Sequence, residues 1–143
     1  MGISIDTLFE YLSRKNSEDV QKLGISIARK IKNLSVLIMP IEDKSIWENC
    51  AKILCEKSDE ELELYFFDLF EWLKDMNWPG AYQIYDRLLC VEKEDFLYIF
   101  EIVFFTAKQL QDNVWVSALQ VFLSEYSLKH SKCIIPDRLQ NLL

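Results

Sequence analysis

Three glycines and three prolines in 143 residues are too few for a β-sandwich or barrel, which needs a turn signal roughly every 10 residues. Glycine-rich phosphate loops are absent. The single histidine, His130, is too little for a closely spaced zinc set, even with Cys50, Cys55 and Cys133 counted, and it provides no base beside a nucleophile. The longest apolar run, Phe96 to Phe105, is broken by Glu101 and falls short of the roughly 20 residues that span a membrane. No cationic segment leads into an apolar one and a cleavage site, and Asp6 stands where a myristoylation motif wants Ser or Thr. The four cysteines, Cys50, Cys55, Cys90 and Cys133, follow no framework spacing and sit among apolar residues. They read as buried free thiols of a soluble, cytoplasmic protein without metal or other cofactor.

What is present is apolar content, at 50 % of residues, enough for one domain over 1–143. The net charge of −7 is unevenly placed: residues 56–101 carry 13 acidic against 4 basic side chains. Such a field repels nucleic-acid phosphates and steers basic partners toward itself.

Helical periodicity predicts an all-α fold of about eight helices. Ser4 caps a first helix ending near Asn16. Ser17 caps a second, with Val20, Leu23, Ile27, Ile31 and Leu34 on its buried stripe and Gly24 weakening it. Ser45 with Glu48 forms a capping box before a third helix, and Ser58 with Glu61 forms another before the fourth. That fourth helix reads as continuous to Asn77, burying Leu62, Tyr65, Phe66, Leu69, Trp72, Leu73 and Met76. Pro79 in a first turn, capped by Asn77 or Trp78, opens a fifth. The sixth is apolar on nearly every side from Phe96 to Leu110, which predicts a central, buried position. A seventh runs from about Asp112 to Tyr126, and Pro136 starts a short last one.

Trp47, Trp78 and Trp115 each head the same pattern, with a small residue three places on (Cys50, Ala81, Ala118) and a large apolar one four places beyond that. The recurrence predicts stacked helical hairpins, a HEAT- or armadillo-like α-α superhelix in which neighbours bury what no single hairpin can. Trp78 is expected to be buried at a hairpin junction, with Ala81 and Ala118 where helices approach closely.

The run Phe70-Glu71-Trp72-Leu73-Lys74-Asp75-Met76-Asn77-Trp78-Pro79-Gly80-Ala81 resembles the signature E-W-L-x-D-M-N-W-P-x-A of a bacterial family of uncharacterised helical domains, the domain-of-unknown-function 5071 family. Ile38-Met39-Pro40, Glu42-Asp43-Lys44 and Asp112-Asn113-Val114-Trp115 resemble its flanking segments. The likeness covers about residues 38–126, leaving 1–37 as N-terminal helices outside it and 127–143 as a C-terminal cap. The resemblance implies a helical fold and carries no established activity. Small bacterial helical proteins of this kind are often suspected immunity proteins, so it also implies a role in neutralising a toxin.

Within the motif, Asp75 reads as an acceptor for backbone N–H groups of the turn and Asn77 as a helix cap. Leu64 and Phe67 point away from the main stripe, among Glu60, Glu63, Glu71, Lys74 and Asp75, where an apolar anchor ringed by carboxylates would suit a basic protein partner. The leading expectation is therefore a non-catalytic protein-binding module, with immunity as its special form. The alternatives are a small-ligand binder or enzyme with a cleft near Asp75, Asn77 and Tyr82, and a structural, self-associating protein.

Overall fold

The computed structural model describes residues 3–143. Its helices are α1 (Ile5–Leu12), α2 (Glu18–Ala28), α3 (Trp47–Cys55), α4 (Asp59–Leu62), α5 (Phe66–Glu71), α6 (Ala81–Leu89), α7 (Phe96–Gln109), α8 (Asn113–Lys129) and α9 (Asp137–Gln140), with short 3₁₀ turns between some of them. The described residues hold no strand, so the fold is all-α. Side-chain caps start many of these elements: Ser4 accepts from the Thr7 N–H, Ser17 from Val20 and Asp112 from Trp115. Ser58 and Glu61 complete the reciprocal capping box predicted for them.

Packing builds outward from one contiguous core. Helix α6 contacts both α3 and α8, α5 packs on α7, α1 packs on α2, and α2 packs on α3. Phe122 of α8 sits at the aromatic centre, with its ring 5.2–6.2 Å from those of Phe70, Tyr85, Phe96, Phe100 and Tyr126. Three buried tryptophans tie this core to the places where helices end, because a buried indole N–H needs an acceptor. Trp47 donates to the Pro40 carbonyl at 2.6 Å, Trp72 to that of Pro79 at 2.9 Å and Trp115 to that of Phe70 at 3.0 Å.

Several local expectations are corrected. The fourth predicted helix is split into α4, a 3₁₀ turn over Glu63–Tyr65, α5 and a second 3₁₀ turn over Trp72–Lys74. The Ser45–Glu48 box does not form: Asp43 caps the 3₁₀ turn before α3, Ser45 bonds Ser13 instead at 2.7 Å, and Glu48 pairs with Arg14. Helix α1 ends at Leu12, short of Asn16. On α2 the buried face is Gly24, Ile25 and Ala28, while Leu23 is exposed. A Cβ on Gly24 would lie 2.9 Å from Tyr11 Cβ, so this glycine sets the close approach of α1 and α2.

The junction before α6 also differs from the prediction. Gly80, at φ +85°, occupies the N-cap, and Pro79 precedes the helix rather than sitting in its first turn. Asp75 does accept the Asn77 N–H, at 2.8 Å, in the expected turn. Asn77 itself is exposed and caps nothing. Trp78 is half-buried, edge-on to Trp47 with ring centres 5.5 Å apart, and Trp72 is the fully buried indole of the junction. Ala81 is buried, as predicted, and Ala118 is half-buried.

Two positive-φ positions should respond oppositely to substitution. Gly80→Ala combines a left-handed backbone with a Cβ that would lie 2.6 Å from Ala51 Cβ, and should cost about 2–4 kcal/mol. Gln111, at φ 57°, closes α7 in a Schellman turn whose Asp112 and Gln111 N–H groups reach the Ala107 and Lys108 carbonyls. Gln111→Gly should gain about 0.5–1 kcal/mol. Urea denaturation of both variants checks the opposite signs.

Candidate functional site

The structure engages the residues of the predicted patch separately. Glu63 pairs with Lys93 of the α6–α7 loop at 3.3 Å. Glu71 holds Lys74 at 3.0 Å, and that ammonium lies 4.7 Å from the centre of the Trp115 ring. Asp75 is turned into its own loop, and Phe67 is half-buried against the core rather than standing free. Leu64 is 86 % exposed, but it lines a groove of about 380 Å³ with Arg29, Lys30, Lys32 and Lys57, where Glu61 is the sole carboxylate. Glu60 remains exposed. Around Asp75 and Asn77, Trp47, Trp72 and Ala51 fill the space against Gly80, and Tyr82 is exposed.

Several carboxylates lie close to the α6–α7 loop. Glu60, Glu63 and Asp95 gather around Lys93, whose ammonium is held above its usual range first by the hydrogen bond to Glu63 and then by the other two charges. The loop is fixed from below by Asp59 at the start of α4. Its carboxylate accepts from Arg87 at 2.7 Å and from the Glu92 N–H at 3.0 Å, while Arg87 also donates to the Lys57 carbonyl. Burial pushes the Asp59 carboxyl upward, yet the Glu92 N–H and the Arg87 guanidinium together outweigh it and hold it below the usual range.

Helix α7 runs away from this loop, and its surface corrects the expectation of all-round burial. Phe96, Leu97, Phe100, Val103, Phe104 and Ala107 face the core. Tyr98, Ile102 and Phe105, at i, i+4 and i+7, form an outward stripe that is 59 %, 42 % and 45 % exposed. The sequence shows apolar residues on nearly every side of this helix, and the structure buries one side of it and leaves Tyr98, Ile102 and Phe105 exposed.

Beside the start of α7 lies a cleft of about 520 Å³, which the sequence did not reveal. Glu92 and Glu94 of the loop and Leu97, Tyr98 and Glu101 of α7 form one side. Tyr126 of α8, His130 just past its end, and Lys132, Cys133, Ile134, Pro136 and Arg138 form the other. His130 is not a free surface residue: it is half-buried, stacks on Tyr126 with ring centres 4.1 Å apart, and bonds through Nε2 to the Leu89 carbonyl at 2.6 Å. Burial, joined by the nearby Cys133, Glu92 and Asp59, pushes the Tyr126 phenol well up, in keeping with a hydroxyl that donates to the Val91 carbonyl.

Elsewhere, the thiols differ from the expectation of uniform burial. Cys50 is buried and pushed up to about 12, and half-buried Cys55 to about 11, both chiefly by desolvation, while Cys90 and Cys133 are exposed. Asp68 is held above the usual carboxylate range by burial first and neighbouring Glu71 second. Among the described residues no group of three or more His, Cys, Asp or Glu side chains is placed to hold a metal ion, and no helix is long and apolar enough to cross a membrane.

Because the folded-state pKa of Asp59 is lowered, its contribution is fully present above the unfolded value of about 3.9 and is lost as pH falls through the folded value. Asp59→Asn should therefore cost about 1–3 kcal/mol at pH 7 and progressively less below pH 4. Denaturant melts of parent and variant across that range test it, and a pH-independent difference would contradict the assigned role.

The family likeness extends further than the central motif. The model of a family described as a domain of unknown function, DUF5071, matches residues 41–143. The match thus starts three residues later than the resemblance read at Ile38 and continues through α8 and α9 instead of stopping near Tyr126. No curated protein and no solved structure matches the chain. Matched from just before α3 to its last residue, the chain belongs to the DUF5071 family.

Proposed function

We propose that this chain is a non-catalytic protein-binding module whose partner is a basic protein. The observation that carries the reading is the exposed stripe of Tyr98, Ile102 and Phe105 on α7. Large apolar side chains held in water at helical spacing form a hot-spot pattern rather than a core. Acidic groups stand at the N-terminal end of the stripe, where Glu94 and Asp95 precede the helix and Glu60 and Glu63 lie across Lys93. In such an arrangement the apolar anchors prolong the complex and the charges speed its formation.

The contacts of α6 with both α3 and α8 support a helical-hairpin array of the HEAT or armadillo kind, which would hold α7 as a rigid surface. Free cysteines are in keeping with a reducing, cytoplasmic setting. Toxin neutralisation in a bacterium is the form of binding that the family resemblance adds. A second copy of the chain is the rival occupant of the stripe.

Two variants separate anchor from steering. Ile102→Glu should weaken binding by about 2 kcal/mol or more, mainly through faster dissociation. Glu60→Lys with Glu94→Lys should slow association about tenfold at low salt, a difference that fades toward physiological salt. Kinetics with the isolated partner test both expectations. Binding unaffected by either variant contradicts the reading, and a homodimer dispersed by Ile102→Glu in light scattering would reassign the stripe to self-association.

A further inference from the structure

Glu101 lies on the inner side of α7, with its side chain 10 % exposed, and its ion-pair partner is the Arg138 guanidinium at 3.0 Å. Arg138 is itself 72 % exposed. A carboxylate withdrawn from water needs a cation close by, and here the cation arrives from the far end of the chain. It rides on α9, a single helical turn anchored by buried Ile135 and Leu139 and reached through the exposed residues 131–134.

The pair borders the 520 Å³ cleft, a volume in the range of small-ligand sites, so the space at Glu101 exceeds what Arg138 fills. Tyr98, one turn before Glu101, presents an exposed ring to the same cleft, and Glu92 and Glu94 add negative charge to its rim. Of the other cations there, Lys93 is drawn to Glu63 and Lys132 is exposed. A buried carboxylate with a nearby aromatic ring is the acceptor set that recognises a guanidinium: the oxygens accept its N–H groups in plane and the ring takes its flat side.

We propose that this cleft is a receptor for an arginine of the protein partner, and that Arg138 occupies it from within the chain until that arginine takes its place. The inference rests on α7 being the partner-facing helix, since Tyr98 belongs to both the stripe and the cleft. Tethered beside Glu101, Arg138 competes at high effective concentration, so a free arginine ligand binds the parent weakly. A partner held by several contacts at once overcomes that competition.

The test uses L-arginine amide as probe, titrated into the parent, Arg138→Ala and Arg138→Ala/Glu101→Gln, with backbone amide NMR shifts of Leu97 to Glu101 as readout. Arg138→Ala should bind at least about tenfold more tightly than the parent, and Glu101→Gln should abolish the gain. Equal affinity in parent and Arg138→Ala, or equal affinity in the single and double variants, overturns the receptor. If Arg138→Ala does not fold, the uncharged Arg138→Gln takes its place, and binding no tighter than the parent's again overturns it. A partner lost on Ile102→Glu but bound alike by parent and Arg138→Ala ends the receptor and keeps the α7 reading. Arginine amide captured by Arg138→Ala, with a partner indifferent to Ile102→Glu, keeps the receptor and ends that reading.

Discussion

A buried indole N–H that finds no acceptor is costly, and three such groups tie the core of this protein to the backbone of its connecting turns and of α5. Trp47, Trp72 and Trp115 donate to the carbonyls of Pro40, Pro79 and Phe70, each at or next to a break in helical structure. The carbonyls of Pro40 and Pro79 lie outside the α-helices and are free to point at a side chain. The Trp72 bond draws the Pro79 turn against the core, and Gly80 then lets α6 start within reach of Ala51. The signature motif follows from this geometry. Trp72 supplies the donor and Asp75 fixes the turn through the Asn77 N–H. Trp78 packs edge-on to Trp47, Pro79 supplies the acceptor, and Ala81 opens the next helix without a bulky side chain.

With the motif serving as a structural joint, the exposed apolar surface proposed for binding lies elsewhere. Helix α7 packs one side into the aromatic core around Phe122 and leaves Tyr98, Ile102 and Phe105 in water, while the Asp59–Arg87 pair fixes the acidic loop at its start. The joint and α7 are connected through α5, which carries Phe70, the acceptor for Trp115, and packs on α7. Stability at the motif thus positions a surface that the motif itself does not touch.

Much of the fold was readable because its signals are local. Ser4, Ser17 and Ser58 with Glu61 cap the helices they were expected to cap, since a hydroxyl or carboxylate reaches backbone only a turn away. The failures arise where a distant partner competes. Ser45 leaves its predicted box for Ser13, 32 residues earlier, and Glu48 turns to Arg14. The run from Asp59 to Lys74 contains no Gly or Pro to announce its 3₁₀ turns, whose position is set by tertiary packing. The outward stripe on α7 and the Glu101–Arg138 contact were hidden for the same reason: periodicity reports that a face is apolar and not what covers it.

If the buried indole hydrogen bonds hold these turns in place, removing the N–H while keeping an aromatic ring must loosen them. Denaturant melts of Trp72→Phe, referenced to Trp78→Phe, which makes the same change at the half-buried indole of the same junction, test that bond. A loss of about 1–3 kcal/mol, together with faster amide hydrogen exchange at residues 75–81, is the predicted result. Stability within about 0.3 kcal/mol of the reference, with unchanged exchange at the junction, would contradict it.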